Sequence, residues 1–307
     1  MRSPRPSTGD GRSDLAGAGL VVLTSLQFGG VVVLGKIVTD SGLPIPSFLA
    51  VRFAAAAALL AAALALLRLP LRAARGEAWR LFVLGVAGYA VEASLFFSAL
   101  RHGTAAAVTL LFFTYPVFVS LIAFLSGKGL PGWMLGGALA SAMAGAAVVV
   151  ATGHGVQVDG AGVALALGSS LAFALYLVGA DAVLVETNSL TGAMWVSGSA
   201  AGALAAYALV TGEGRLPHGW HQWGPVLGTA AFTAGAFFCL FAGLRRLGAV
   251  RTSVVAATEP LAASALAVAF LHQKATAGLA VGGGLILGGA VLASVARRQV
   301  PAEPPVP

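Results

Sequence analysis

The chain consists of apolar runs of about twenty residues, the length that a helix needs to cross a bilayer, separated by short polar gaps. The ten runs are residues 15–38, 47–69, 79–100, 104–125, 131–151, 160–180, 190–210, 223–244, 251–271 and 277–296. Of the 307 residues, 58% are hydrophobic and only 9% are charged, which leaves too little polar surface for a water-soluble globule of this size. The sequence therefore predicts an all-α membrane protein with ten transmembrane helices.

The two halves of the chain repeat one another. The run 251–271 carries Glu259 and Pro260 near its centre, and the run 104–125 carries Pro116 at the matching place, 144 residues earlier. The same offset aligns Leu100 with Leu244, Arg101 with Arg245, Thr114 with Thr258 and Ser120 with Ser264. Each half has five spans, and because five is odd, the second half is expected to lie upside down relative to the first. The chain is therefore predicted to form two inverted five-helix repeats, residues 15–151 and 160–296.

Basic residues predict the side of the membrane on which the termini lie. With the N-terminus inside, the 18 Lys and Arg residues divide 13 to 5 in favour of the cytoplasmic side. The largest group, Arg68, Arg72, Arg75 and Arg80, lies in the gap after the second run. By the positive-inside rule both termini are predicted to be cytoplasmic. The polar ends, residues 1–14 and 297–307, are predicted to be disordered tails.

Glycine spacing predicts how the helices pack. Pairs four residues apart allow close approach of helices in a bilayer. The pairs are Gly132 with Gly136, Gly198 with Gly202, Gly224 with Gly228, and Gly284 with Gly288. Packing explains these pairs more simply than a direct role in gating.

Two carboxylates lie deep inside predicted spans, where a charge is costly and usually functional. Pro260 has no amide hydrogen, so the backbone carbonyl near Ala256 is freed beside Glu259. Glu92 shares one helix face with Tyr89 and Phe96, a combination of an acid and aromatic surface that suits an organic solute. The alternatives are a protonated Glu259 bonded to a neighbouring helix, and aromatic residues that only pack.

The remaining candidates for substrate binding or coupling carry weaker signals. Arg52 either pairs with Glu92 or extends to the headgroups. Gln27, Tyr115, Tyr176 and Trp195 have a polar tip on an apolar body, which also suits packing or interface anchoring. Pro116 and Pro260 are predicted to kink their helices. A buried carboxylate can exchange a proton during transport, so proton coupling is a hypothesis.

Several other functions lack support in the sequence. The basic residues fall in short gaps where topology explains them, so no nucleic-acid partner is predicted. The five histidines lie in or near loops, Cys239 is the single cysteine, and no phosphate-binding loop is present, so neither a metal, a cofactor nor ATP hydrolysis is predicted. No catalytic constellation points to an enzyme.

The motifs resemble those of EamA-domain members of the drug/metabolite transporter superfamily. Each half has an Ala/Gly-Leu-Arg turn, Ala99–Arg101 and Gly243–Arg245, followed by a proline-centred helix. The pairs Glu259-Pro260 and Tyr115-Pro116, with Arg52 and Lys36, are similar to that family's recurrent positions. The usual Gly-Glu turn after the fourth and ninth helices is replaced by Gly127-Lys128 and His272-Gln273. The resemblance implies an inner-membrane carrier, often an exporter of amino acids or other small metabolites.

The sequence thus favours a secondary transporter that moves a small organic solute by alternating access, in contact with the lipid bilayer. An integral membrane enzyme and a small-molecule sensor without net transport are the alternatives. The sequence leaves open the substrate, the direction of transport, proton coupling against facilitated diffusion, and the oligomeric state.

Overall fold

A computed structural model describes residues 11–103, 105–128, 132–153, 158–262 and 277–295. These residues form helices and short connections, with one isolated β-bridge between Gly103 and Val158. The first half contains α1 (Gly11–Asp40), α2 (Ile45–Leu66), α3 (Glu77–Val83), a π-helical segment (Leu84–Ala90), α4 (Val91–Ala99), α5 (Ala105–Phe112), α6 (Tyr115–Ala123), a second π-helical segment (Phe124–Lys128) and α7 (Trp133–Gly153). The second contains α8 (Gly160–Val183), α9 (Ser189–Val210), α10 (Gly219–Leu247), α11 (Ala249–Ala256) and α12 (Ala277–Val295).

Within the described ranges, six helices are long and apolar enough to cross a membrane. They are Ser13–Asp40, Ile45–Leu66, Glu77–Ala99, Gly160–Val183, Ser189–Val210 and Gly219–Leu247. Shorter apolar helices cover Tyr115–Gly127, Trp133–Gly145 and Ala280–Ala293. The prediction of an all-α chain is thereby confirmed for the described residues. The count of ten spans stays a prediction, because the ninth run, 251–271, continues into residues outside the described ranges.

Two features of the described helices differ from the sequence-based expectation. The first helix begins at Gly11 rather than at residue 15, so only residues 1–10 of the predicted N-terminal tail lie outside the described part. The C-terminal tail, 297–307, also lies outside it. The third span is not a uniform α-helix, since α3 and α4 are joined through the π-helical segment Leu84–Ala90. Such segments often mark functional sites.

Both proline-centred runs are interrupted helices. In the first half α5 ends at Phe112 and α6 begins at Tyr115, with Pro116 in its first turn. In the second half α11 ends at Ala256, and helical structure resumes at residues 259–262. A proline is accommodated in a first turn, where its missing amide hydrogen breaks no helical bond. Each proline therefore starts a new helix instead of kinking a continuous one.

The helices α7 and α12 pack closely through equivalent residues. The Ser141 Oγ donates to the carbonyl of Leu285 at 2.8 Å, and these two positions are 144 residues apart. Gly145 faces Gly282 and Ile286. The equivalent Gly289 faces Ala138 and Ala142. Partner numbers fall as residue numbers rise, so the two helices run antiparallel.

The same arrangement recurs in two further helix pairs. Along α1 and α10, Gly17 lies against Leu247, Gly30 against Phe232 and Gly228 against Leu34. Along α8 and the third span, Gly162 lies against His102, Gly88 against Tyr176 and Gly179 against Leu84. The first helix of each half thus packs antiparallel to the third helix of the other half.

The glycine pairs expected to mediate packing differ in what they meet among the described residues. No described atom of a neighbouring element lies within 4 Å of a Cβ built at Gly136, Gly202, Gly284 or Gly288. A Cβ built at Gly228 would meet Leu34 of α1, and one built at Gly198 would lie 3.9 Å from the Ala57 Cβ of α2. Close approach thus depends on which face of the helix meets a neighbour.

The two halves are also joined at a polar junction outside the spans. Asp159 caps the N-terminus of α8, since its Oδ1 accepts from the Gly162 amide at 2.7 Å. Its Oδ2 lies 3.1 Å from the Nδ1 of His102. The Gly162 amide and His102 hold the pKa of the Asp159 carboxyl below its usual range.

Replacing Gly145 with leucine should destabilise the protein, because the new side chain would meet the Gly282 carbonyl and Ile286. Overpacking of this kind costs about 1–3 kcal/mol. Thermal unfolding in detergent should show a lower Tm for Gly145→Leu. Gly136→Leu, on the same helix, should leave the Tm near the wild-type value, and an equal drop in both variants would contradict the assigned packing.

The Asp159 cap should contribute to stability in a pH-dependent way. Because the pKa of the folded carboxyl is lowered, its contribution is fully present above the ordinary aspartate value of about 3.9 and is lost as the pH falls below it. The Tm difference between the wild type and Asp159→Ala should therefore be clear near neutral pH and shrink in acid. A difference that is independent of pH would exclude the charged cap as its source.

Candidate functional site

A narrow cavity of about 50 Å³ lies between helices of both halves. The first half contributes most of its lining: Phe28, Val31 and Val32 of α1, Arg52 of α2, Tyr89, Glu92, Ala93, Phe96 and Phe97 of the third span, and Phe112 of α5. The second half contributes Phe173 of α8, and Glu259 directly after the break that follows α11. The cavity therefore forms where the interrupted helices and the π-helical segment meet.

Three ionisable side chains face this cavity. Arg52 is 2% exposed, so it does not extend to the headgroups, and its Nε donates to the Thr233 Oγ1 at 2.7 Å. Glu92 is 6% exposed, and its Oε1 accepts from the Ser169 Oγ at 3.2 Å. Glu259 is half-buried. One guanidinium and two carboxylates share one apolar enclosure, where their attraction is stronger than in water.

Aromatic rings line much of the rest of the cavity, and further rings pack behind them. Tyr89 is central, with ring centroids 4.5 Å from Phe237, 5.1 Å from Tyr176 and 5.4 Å from Phe53. A second group surrounds Phe112, which packs on Phe96 at 5.2 Å and Phe173 at 5.4 Å. Such walls suit the apolar part of an organic solute, while the charges suit its polar groups.

Hydroxyl pairs brace both helix breaks. The Thr258 Oγ1 donates to the Ser25 Oγ at 2.9 Å, and the Ser25 Oγ lies 3.2 Å from the Ala256 carbonyl. The freed carbonyl expected near Ala256 is thus satisfied by a serine of α1. In the first half the Thr114 Oγ1 lies 2.9 Å from the Ser170 Oγ of α8. In each case the first helix of one half supports the broken helix of the other.

Several predicted residues lie outside the cavity lining. Tyr115 is one layer behind it, with its ring 4.8 Å from Phe173 and its hydroxyl donating to the Ser253 carbonyl at 3.3 Å. Tyr176 is behind Tyr89, with a buried hydroxyl that has no hydrogen-bond partner among the described residues.

Gln27 and Trp195 have structural contacts elsewhere. The Gln27 amide donates to the Leu23 carbonyl at 3.2 Å on the α1–α10 contact. The Trp195 indole donates to the Leu71 carbonyl at 3.0 Å, which attaches α9 to the connection before α3. The structure thus brings together Glu259, Glu92, Tyr89, Phe96 and Arg52, and it separates Gln27 and Trp195 from them.

Sequence reasoning missed part of the site. Phe28, Phe97, Phe112 and Phe173 line the cavity, yet a phenylalanine in an apolar run can equally face lipid or pack against another helix, so the sequence gave no signal for them. The supporting hydroxyls had a usable signal. Ser25 and Ser170 occupy matching places in the first helices of the two halves, as Thr114 and Thr258 do in the broken ones.

No group of three or more His, Cys, Asp or Glu side chains within the described ranges is placed to hold a metal ion. The buried Arg251 makes structural contacts outside the cavity. Its guanidinium bonds Asp14 at 3.0 Å and the Ala293 carbonyl at 2.8 Å, which ties α11 to α1 and α12.

Loss of the Ser25 hydroxyl should destabilise the second helix break, because the Ala256 carbonyl and the Thr258 hydroxyl each lose a partner. Side-chain hydrogen bonds between helices of a membrane protein contribute about 0.6 kcal/mol on average and up to about 1.7 kcal/mol. Ser25→Ala should therefore lower the Tm in detergent. Ser126→Ala removes an exposed hydroxyl bonded within its own helical segment and should have little effect; equal effects would contradict the bracing role.

Comparison with known proteins agrees with this architecture. The model of the EamA-like transporter family matches residues 15–151 and 160–295, one match for each half. A crystal structure of another protein superposes with a TM-score of 0.75 over 92% of this chain and 98% of its own, at 22% sequence identity, which shows a shared fold. No curated protein matches the chain. Because the two family matches cover most of the sequence, the resemblance drawn from the motifs is confirmed: this multi-pass membrane protein belongs to the EamA-like transporter family.

Proposed function

We propose that the chain is a secondary transporter that exports a small organic metabolite, such as an amino acid, by alternating access. The observation that carries the proposal is the cavity itself, in which Arg52, Glu92 and Glu259 share an aromatic enclosure between the two halves. Transporters of inverted-repeat folds bind their substrates near the membrane midplane, at the interface of the repeats and beside interrupted helices.

The charges suit a solute with both an ammonium and a carboxylate group. Arg52 is the cavity's cation and would pair with a carboxylate, while Glu92 and Glu259 would accept hydrogen bonds from an ammonium group. Phe96, Phe112 and the ring of Tyr89 would contact the apolar part of the same molecule. The two carboxylates outnumber the one guanidinium, so one of them is available to carry a proton during the cycle.

An inverted repeat supplies the two alternating states. The antiparallel contact of Ser141 with Leu285, at equivalent positions, supports a pseudo-two-fold axis in the membrane plane. The reciprocal hydroxyl pairs at Thr114 and Thr258 support the same relation. In such a fold each half can adopt the conformation of the other, and the exchange opens the site to opposite sides. We infer ten spans, with both termini cytoplasmic in the inner membrane, from the pattern of apolar runs and basic residues.

The proposal predicts that Glu259→Gln abolishes substrate-dependent flux. Proteoliposomes would be assayed for uptake and counterflow of amino acids and related metabolites, with and without a proton gradient. Loss of gradient-driven flux with retained counterflow would assign Glu259 to proton coupling. Loss of both would assign it to the binding of substrate.

Matched variants separate these roles from misfolding. Glu92→Gln tests the second carboxylate, and Glu186→Gln changes an exposed glutamate outside the cavity and should retain wild-type flux. Size-exclusion profiles and Tm values of all variants would verify folding. Wild-type flux in both Glu259→Gln and Glu92→Gln would overturn the assignment of the cavity as the transport site.

A further inference from the structure

A groove of about 640 Å³ lies on the other side of the π-helical segment from the cavity. The walls of the groove are the third span and α8. Apart from Trp79 and Arg80 at one end, its lining is almost wholly apolar. Its lining residues are Trp79, Arg80, Val83, Leu84, Ala87, Gly88, Val91, Leu95, Gly168, Leu171, Ala172, Leu175, Tyr176 and Val183. Because both walls belong to membrane-spanning helices, its occupant must tolerate hydrocarbon.

The residues at one end of the groove suit the membrane interface. Trp79 is 69% exposed and stacks on Phe82 with ring centroids 5.4 Å apart. Tryptophan at the end of a span is typical of the headgroup level. Arg80, beside it, is exposed, and among the described residues no carboxylate forms an ion pair with it.

The nearest acidic residue on this helix does not neutralise Arg80. The carboxylate of Glu77 accepts hydrogen bonds from the backbone amides of Val185, Glu186 and Thr187, at 3.3, 2.9 and 2.9 Å. It thereby fixes the loop between α8 and α9. Among the described residues that line the groove, Arg80 alone is charged, so the groove carries a positive charge at this end.

The length of the groove matches one lipid leaflet. From Arg80 to Leu95 the third span rises roughly 22 Å at about 1.5 Å per residue. One leaflet is about 20–22 Å thick when its headgroup region is included, so a single phospholipid with its headgroup beside Arg80 covers this distance.

The groove is specific to one half of the molecule. Its floor is open because Gly168 and Ala172 have little or no side chain. The matching places in α1, by the alignment of Ser25 with Ser170, are the larger Leu23 and Gln27. Arg80 likewise has no basic counterpart, since the position 144 residues later is Gly224. The repeat therefore predicts neither the groove nor its charge.

We propose that this groove binds an anionic phospholipid, with the headgroup phosphate on Arg80 and one acyl chain along α8 and the third span. The chain passes Tyr176, whose ring packs on Tyr89 of the cavity wall at 5.1 Å. The bound lipid thus supports the outer side of the wall that encloses Glu92. The proposal requires a membrane-spanning chain, and it does not depend on the identity of any transported solute.

The test uses the fluorescence of Trp79 in reconstituted full-length protein. A background variant keeps Trp79 and replaces Trp133, Trp195, Trp220 and Trp223 with phenylalanine. Two series of phosphatidylcholine vesicles would be prepared. One would contain increasing fractions of brominated phosphatidylglycerol and the other increasing fractions of brominated phosphatidylcholine, with the bromine on the acyl chain near the headgroup in both lipids. One arginine at the surface favours an anionic lipid by about fivefold, so brominated phosphatidylglycerol should quench Trp79 at about one fifth of the fraction that brominated phosphatidylcholine needs.

Two variants locate the site. Arg80→Gln should remove the preference for the anionic lipid, while Arg75→Gln, which changes an exposed arginine outside the groove lining, should retain it. Ala172→Phe should reduce quenching by both lipids, because it fills the groove floor. A parallel variant that retains only Trp133, which is 83% exposed and outside the groove, reports contact with bulk lipid.

Equal quenching of Trp79 by the two lipids, or a preference that survives Arg80→Gln, would overturn the proposal. A preference of the same size at Trp133 would do the same, because it would indicate general enrichment of anionic lipid around the protein. Transport activity is not a readout here, so a failure of the lipid proposal is distinguishable from a failure of the proposed function.

Discussion

The structure depends on satisfying backbone groups that two prolines leave without partners inside a membrane. Hydrocarbon offers no hydrogen bonds, so an interrupted helix there must find its partners within the protein. At the second break the Ser25 hydroxyl donates to the Ala256 carbonyl. At the first break the Thr114 hydroxyl donates to the Leu111 carbonyl of its own half and lies 2.9 Å from the Ser170 Oγ. Both serines come from the opposite half of the chain. Contacts between the two halves therefore support both breaks, which ties the candidate site to the interface between them.

The same requirement governs the charges. An isolated carboxylate or guanidinium within a bilayer is costly, whereas opposite charges in one enclosure reduce that cost. Arg52, Glu92 and Glu259 are brought into a common cavity by three different helical elements. Arg52 is also held by Thr233, and Glu92 by Ser169, so neither depends on the other alone. A solute whose charged groups pair with those of the cavity would bind at the place where the protein already has a polar interior.

The sequence predicted the scaffold well and the contents of the cavity only in part. Apolar runs and the 144-residue repeat predicted the order of the helices, because span length and repetition are local properties of a sequence. Glu259, Glu92 and Arg52 were found because any charge in an apolar run is conspicuous. Phe28 and Phe173 were not, since nothing local distinguishes a cavity-lining phenylalanine from one that faces lipid. Trp195 was proposed as a binding residue but lies outside the cavity. An indole suits many roles, and only the folded chain shows that this one donates to the Leu71 carbonyl.

The two halves share a scaffold but not a chemistry. Packing contacts recur at equivalent positions, as Gly145 and Gly289 do in α7 and α12. The polar residues of the cavity have no such equivalents: Glu92 corresponds to Ala236, Arg52 to Val196, and Glu259 to Tyr115. In the proposed alternating-access cycle, symmetric packing would allow each half to take the shape of the other, while the asymmetric cavity would present one set of charges in both states. The proposed cycle needs both properties, because the solute must meet the same site whichever side of the membrane is open.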